Sequence, residues 1–175
     1  MKAVKEFFSW LISIFITVFL ATILVYFFGM KTSVVGASME PGLYHEQQIL
    51  INRFAYTILG PEEGDVIIFL PNGNTNSHYY TKRVAAGPGD CVQIIDGVLY
   101  INGSASDVIK TKFKDPGLAF QEITLASGEY FVVGDNPESG EDSRSANIGP
   151  VKADQIVGRV WLALPGNGRK MHIVK

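Results

Sequence analysis

Cysteine occurs once among the 175 residues, as Cys91, so no intramolecular disulfide can staple the chain. The three histidines, His45, His78 and His172, lie too far apart to form a local metal motif, and no metal or other cofactor is expected. Fifteen lysines and arginines against seventeen aspartates and glutamates give a formal charge of -2, with no arginine-rich stripe. Lacking a basic field to track a phosphate backbone, the chain is not expected to bind nucleic acid. Internal repeats, low-complexity tracts and interdomain linkers are also missing. The length leaves room for one domain and one further segment.

Charge is absent from residues 7 to 30, FFSWLISIFITVFLATILVYFFGM. At about 1.5 Å per residue this run can cross a hydrocarbon core of roughly 30 Å, and it reads as a transmembrane helix after a short N-terminal piece, 1–6. Trp10 and Tyr26 suit the two interfaces; Lys2 and Lys5 before the run, with Lys31 after it, favour a cytoplasmic N-terminus. A competing reading is a secretory signal peptide cleaved after Val35-Gly36-Ala37. The apolar run exceeds the ~7 to 15 residues of a usual signal-peptide core, which favours a retained anchor.

From about Ser33 the character changes, so 31–175 is expected to form one extracytoplasmic domain. QQILINRF, DVIIFL, HYYTKRVAA, CVQII, VLYINGS, EYFVVGD and IVGRVWLAL are β-branched and aromatic runs separated by glycine, proline, asparagine and aspartate. The fold class is mostly β. Asp96-Gly97 between CVQII and VLYIN predicts a two-residue hairpin, because both residues tolerate the positive φ such a turn needs. Residues 102–128, with Lys110, Lys112 and Lys114, show weak periodicity and read as a loop-rich excursion; 93–130 as a whole could form a smaller β lobe.

GASMEPGL, residues 36–43, then places a serine, Ser38, ten residues beyond Phe28, at most ~35 Å from it along an extended chain. A serine there can simply cap a turn before Pro41. To act as a nucleophile it needs a base, and histidine and neutral lysine are the usual candidates. His78 adjoins a polar turn, PNGNTNS, and reads as solvated. In YYTKRVAA, strand alternation puts Tyr80, Lys82 and Val84 on one otherwise apolar face and Arg83 on the other, toward the surface. Burial of Lys82 to a pKa of roughly 8 would cost about 3 kcal/mol. The local pattern equally fits a lysine whose stem packs while its ammonium reaches water.

The order of motifs decides between these readings. GASMEPGL, QILINRFAY, GDVIIF, YYTKRVAAGPGD and GDNPESGEDSR, behind a membrane anchor, together resemble the bacterial type I signal peptidases, and the likeness runs from the anchor to VGRVWLALPG. The single anchor looks like the compact form common in Gram-positive bacteria. The resemblance implies an antiparallel β catalytic domain, Ser38 as nucleophile, Lys82 as general base, and Asp135, Asp142 and Arg144 as supports of the site. Three glycines depart from the fullest family pattern. Gly36 stands where some members carry an oxyanion-assisting serine, Gly42 where threonine is usual, and Gly140 where many have a serine bonded to the lysine. Ser139 is a poor substitute, since a one-residue shift points a side chain elsewhere.

The resemblance further implies a serine endopeptidase that cleaves exported preproteins after Ala-x-Ala-like sites at the cell membrane, near the secretion machinery and in contact with the bilayer. The Ser38 N-H would meet the oxyanion. Val34, Val35, Gly36, Ala37 and Met39 on one side, with Tyr79, Tyr80 and Thr81 on the other, would hold an extended peptide by strand addition. Two rivals are a non-catalytic, membrane-tethered β module acting in secretion or surface assembly, and a self-cleaving serine/lysine regulator, whose DNA-binding domain would occupy the place the anchor takes.

Overall fold

A computed structural model describes residues 2–74, 78–166 and 168–174. One helix, α1 (Lys2–Phe28), opens the chain, and none of its residues is buried, as suits an apolar rod with lipid rather than protein around it. It begins earlier than the uncharged run, because residues 2–6 include good helix formers. It also ends earlier. A side chain at Gly29 would bring its Cβ to 2.5 Å from the Val25 carbonyl oxygen, so the chain can turn sharply there, and Met30 opens a strand instead of closing the helix.

The strands follow in order: β1 (Met30–Ser33), β2 (Gln48–Asn52), β3 (Val66–Phe69), β4 (Tyr80–Ala86), β5 (Cys91–Ile95), β6 (Val98–Ile101), β7 (Ser104–Ala105), β8 (Ile123–Thr124), β9 (Glu129–Val133), β10 (Val151–Lys152), β11 (Ile156–Ala163) and β12 (His172–Ile173). All seven runs picked out in the sequence contain strands. The larger sheet runs β1-β2-β11-β3-β4-β9-β10, with β12 also on β11, and every pairing is antiparallel. Register shifts at Val160/Leu162, Ile156/Gly158 and Val84/Ala86 mark bulges, which bend strands and increase their twist.

A second sheet, β7-β6-β5-β8, is built on the Asp96-Gly97 hairpin, where φ is 50° and 79°. The excursion after it packs Phe113, Ala119 and Leu125 with β5, β6 and β9 into one apolar cluster. Two further clusters lie on the faces of the larger sheet. One joins Met39 and Leu43 to Ile49, Ile51, Val66 and Ile68; the other joins Ile67, Phe69 and Val84 to Tyr130, Val132 and Val151. β4 lies between β3 and β9, but β9 pairs only with its C-terminal half, Arg83–Ala86. The N-terminal half of β4 therefore keeps an edge free of a strand partner on that side.

Candidate active site

The turn after β1 carries Ser38. Its Oγ lies 2.5 Å from Lys82 Nζ, across 44 residues of sequence. Lys82 is only 3% exposed, and its strand register places it opposite Ile67, beside Phe69, Tyr80 and Val84. An ammonium there has lost most of its water. Burial lowers the Lys82 pKa to about 8, opposed by the negative charges of Asp142, Glu141 and Asp135 and reinforced by Arg144. A substantial fraction of the amine is thus neutral just above physiological pH.

The turn that carries Ser38 is pinned from behind. Asn136 donates its backbone N-H to the Ser38 carbonyl at 2.9 Å and its side-chain amide to the Ala37 carbonyl at 3.3 Å. Gly134 packs so tightly against the Ser38 carbonyl that a Cβ would collide with it. The Ser38 N-H itself engages no acceptor among the described residues, so it is open to a developing negative charge.

Asp135, Asp142 and Arg144 separate into two devices. Asp142 and Arg144 form a buried pair, with Nε to Oδ1 and Nη2 to Oδ2 both at 2.9 Å. Asp142 also accepts the Gly134 N-H, while Arg144 donates to the carbonyls of Asp115, Pro137 and Ser139 and stacks over Phe113 at 4.6 Å. The loop-rich excursion, opaque in the sequence, thus helps to cradle Arg144. Asp135 takes a different partner, Arg83. That corrects the expectation of a surface arginine: Arg83 turns away from Lys82, but into a largely buried ion pair.

A cleft of about 110 Å³ at the dyad is lined by Val35, Gly36 and Ala37, by His78, Tyr79, Tyr80 and Thr81, and by Ser139 and Glu141. Val34 and Met39, expected to touch substrate, are instead core residues, with 1% and 0% exposure. Strand alternation explains Val34, whose N-H and C=O are both taken by Gln47 and Glu46. Met39 follows Ser38 and so turns inward where the serine turns to the cleft. Glu141 reaches the cleft wall although no sequence periodicity marks it, and so does Ser139, which corrects the expectation that a one-residue shift points its side chain elsewhere; the loop that carries both is set by the Asp142–Arg144 pair. His78 lines the rim, stacked on Tyr80 at 5.8 Å.

The glycines differ in kind. Gly42 abuts the Asp135 carboxylate, leaving no room for a side chain while that residue pairs with Arg83. Gly36 has open space but a φ of 84°, and Gly140 has open space without a positive φ. Among the described residues no cluster of histidine, cysteine, aspartate and glutamate is arranged to hold a metal ion.

The model of the family described as signal peptidase, peptidase S26, matches residues 7–164. Signal peptidase IB of Staphylococcus aureus is 32% identical over 173 residues, covering 89% of this chain and 88% of its own. Signal peptidase I T of Bacillus subtilis is 32% identical over 166 residues, covering 90% and 84%. A signal peptidase I crystal structure from Enterococcus faecalis is 31% identical and covers 59% of this chain and 98% of its own, with a TM-score of 0.44.

Proposed function

Because the chain belongs to the signal peptidase family, peptidase S26, and is therefore a serine endopeptidase that removes signal peptides, we propose that Ser38 is its nucleophile and Lys82 its general base. The observation that carries this assignment is the 2.5 Å separation of Ser38 Oγ from an amine buried on an apolar strand face. Neutral Lys82 takes the hydroxyl proton as Ser38 Oγ bonds to the scissile carbonyl carbon. The resulting ammonium then gives that proton to the departing amine as the peptide C-N bond breaks. Water, deprotonated by the same lysine, releases the acyl group from Ser38. The Ser38 N-H receives the oxyanion in both steps.

The substrate peptide enters as an extra strand. One wall offers the N-terminal edge of β4 that β9 leaves uncovered, and the other offers Val35, whose N-H and C=O make no hydrogen bond among the described residues. Asp135, Asp142 and Arg144 act by holding the two walls at their spacing. The shallow cleft between them suits small side chains, consistent with cleavage after Ala-x-Ala-like sequences.

The helix is long and apolar enough to cross a membrane. Lys2 and Lys5 at its start support a cytoplasmic N-terminus and an extracytoplasmic peptidase domain, where exported chains emerge from the secretion machinery. The test is incubation of the detergent-solubilised full chain with an Ala-x-Ala preprotein beside its Ser38→Ala variant. Cleavage by the parent alone supports the assignment. Equal cleavage by both removes Ser38 as nucleophile, and cleavage by neither favours a non-catalytic tethered module.

A further inference from the structure

His45 lies outside the dyad and outside every motif that supplied a site residue, yet its ring touches the substrate wall. The Gly36 N-H donates to His45 Nδ1 at 3.0 Å. On either side of that contact the wall is already fixed. Val34 is bonded through its N-H to Gln47 and through its C=O to Glu46, and the Ala37 carbonyl accepts from Glu40 and Asn136. Between them stand Val35 and Gly36, and among the described residues the His45 bond is the one hydrogen bond to their backbone groups. Gly36 has φ 84° and open space around its Cα, so nothing steric holds this stretch.

The ring is brought there by a turn of uncommon conformation. Glu46 has φ 62°, a left-handed value unusual for glutamate, while Gln47 donates its N-H to the Tyr44 carbonyl at 3.0 Å and Glu46 donates to Val34 at 2.8 Å. The Gln47 side chain, buried beneath the turn, accepts the Tyr44 N-H and donates to the Leu164 carbonyl. The turn thus delivers the imidazole to the back of the wall that faces the cleft.

Resting on the reading of Val35–Ala37 as the substrate wall, we propose that His45 is a positioning residue: its Nδ1 lone pair holds Gly36 so that Val35 presents an extended edge to the incoming peptide, and protonation of the ring releases that edge. An imidazolium carries hydrogen on both nitrogens and cannot accept. The groups facing the ring are the Glu46 carboxylate, 3.9 Å from Nε2, and, around the same polar hollow, Glu40, Tyr44 and Arg169. The Glu46 carboxylate favours the tautomer with hydrogen on Nε2, which leaves Nδ1 free to accept.

The geometry separates three variants. Asparagine can present Oδ1 where Nδ1 now lies; glutamine places its oxygen nearer the position of Nε2; leucine has no acceptor. For an Ala-x-Ala peptide at neutral pH, His45→Leu and His45→Gln are expected to raise KM about fivefold, the worth of one neutral hydrogen bond, while His45→Asn stays within about twofold of the parent. As pH falls, the ratio of kcat/KM for His45→Asn to that for the parent should rise toward a plateau of about fivefold, because Lys82 titrates in both and cancels. In parallel, the Gly36 amide resonance of the full chain in detergent should shift between parent and His45→Leu, and in the parent on acidification.

Equal KM in all four proteins, or a flat ratio across pH, overturns the proposal and leaves the peptidase reading standing. Equal losses in His45→Asn and His45→Leu overturn it too, since bulk rather than an acceptor would then matter. A Gly36 resonance indifferent to His45 overturns the hydrogen bond itself. If that resonance responds while no protein cleaves, the peptidase reading falls and takes the substrate half of the proposal with it.

Discussion

Arg83 clasps Asp135 through two hydrogen bonds, Nε to Oδ1 at 2.7 Å and Nη2 to Oδ2 at 2.8 Å. Lys82 precedes one partner in β4, and Asn136, which holds the Ser38 carbonyl, follows the other. The pair therefore ties the strand of Lys82, the proposed base, to the turn of Ser38, the proposed nucleophile. Arg83→Lys cannot reproduce the fork, and kcat/KM should fall about tenfold from loss of alignment, with the pH dependence unchanged. Arg83→Leu strands a largely buried carboxylate and should lower stability by about 3 kcal/mol. Peptide cleavage across pH and thermal unfolding check the two outcomes.

The pH profile follows from the lysine. With Lys82 as the proposed base, only its neutral form can accept the serine proton, so kcat/KM should rise with pH through a value of about 8, set first by burial. The Glu141 charge holds that value up, so Glu141→Gln should move the limb to lower pH, by a fraction of a unit because the side chain is exposed and screened. His78→Ala should leave the limb in place. Loss of the limb in that variant would transfer the base role to His78, and Lys82→Arg should be inactive because a guanidinium does not deprotonate.

Much of this site was legible because it rests on alternation. The period of two in YYTKRVAA assigned Lys82 to an apolar face and Arg83 to the opposite one, and the ordered motifs linked Ser38 to Lys82 across 44 residues. Alternation is silent about partners. It could not show that Arg83 meets Asp135, that Met39 turns into the core, or that the excursion near Asp115 receives Arg144. Those contacts depend on how two sheets and a loop close on one another. The glycines were legible as departures, but their tolerance for side chains depends on φ and on neighbours that no local pattern encodes.

Gly140 and Gly36 should therefore respond differently to serine. At Gly140 a Cβ meets nothing within 4 Å and the backbone is not left-handed, so Gly140→Ser should fold normally. Gly140 stands between Ser139 and Glu141, which line the cleft, and the family resemblance implies a lysine-orienting serine here, so the new hydroxyl should raise kcat severalfold. At Gly36, φ 84° makes Gly36→Ser strained by about 1 kcal/mol and should raise KM by disturbing the wall. Steady-state kinetics of the two variants on one peptide separates the effects; a rise in activity for Gly36→Ser alone would invert the assignment.

Lys82 also costs the fold stability. Unfolded, the amine keeps its proton up to its ordinary value of 10.5; folded, it releases it at about 8. Below pH 8 both states are protonated and the native state bears the full penalty, about 3 kcal/mol. Between pH 8 and 10.5 the native state sheds its proton and the penalty fades. Lys82→Met should therefore be inactive yet more stable at pH 7 by about 2 kcal/mol, after loss of the contact to Ser38. That corresponds to a Tm higher by about 4–8 °C, with the gap closing toward pH 10. A variant less stable than the parent at pH 7 would contradict burial as the cause of the lowered pKa.

At the end of α1 the Phe27 carbonyl accepts the Arg53 N-H at 2.9 Å and the Phe28 carbonyl accepts the Trp161 indole at 3.4 Å, while Phe27 packs edge-on against Phe54. With β1 beginning at Met30, the rod and the sheet are joined as shaft to blade, without slack. An inserted residue at Gly29 would not lengthen a leash. It would turn the shaft by about 100° against the blade and pull both carbonyls off their donors. The end of the helix and the sheet that carries Ser38 and Lys82 are thus coupled through these contacts, so the register of one sets the bearing of the other.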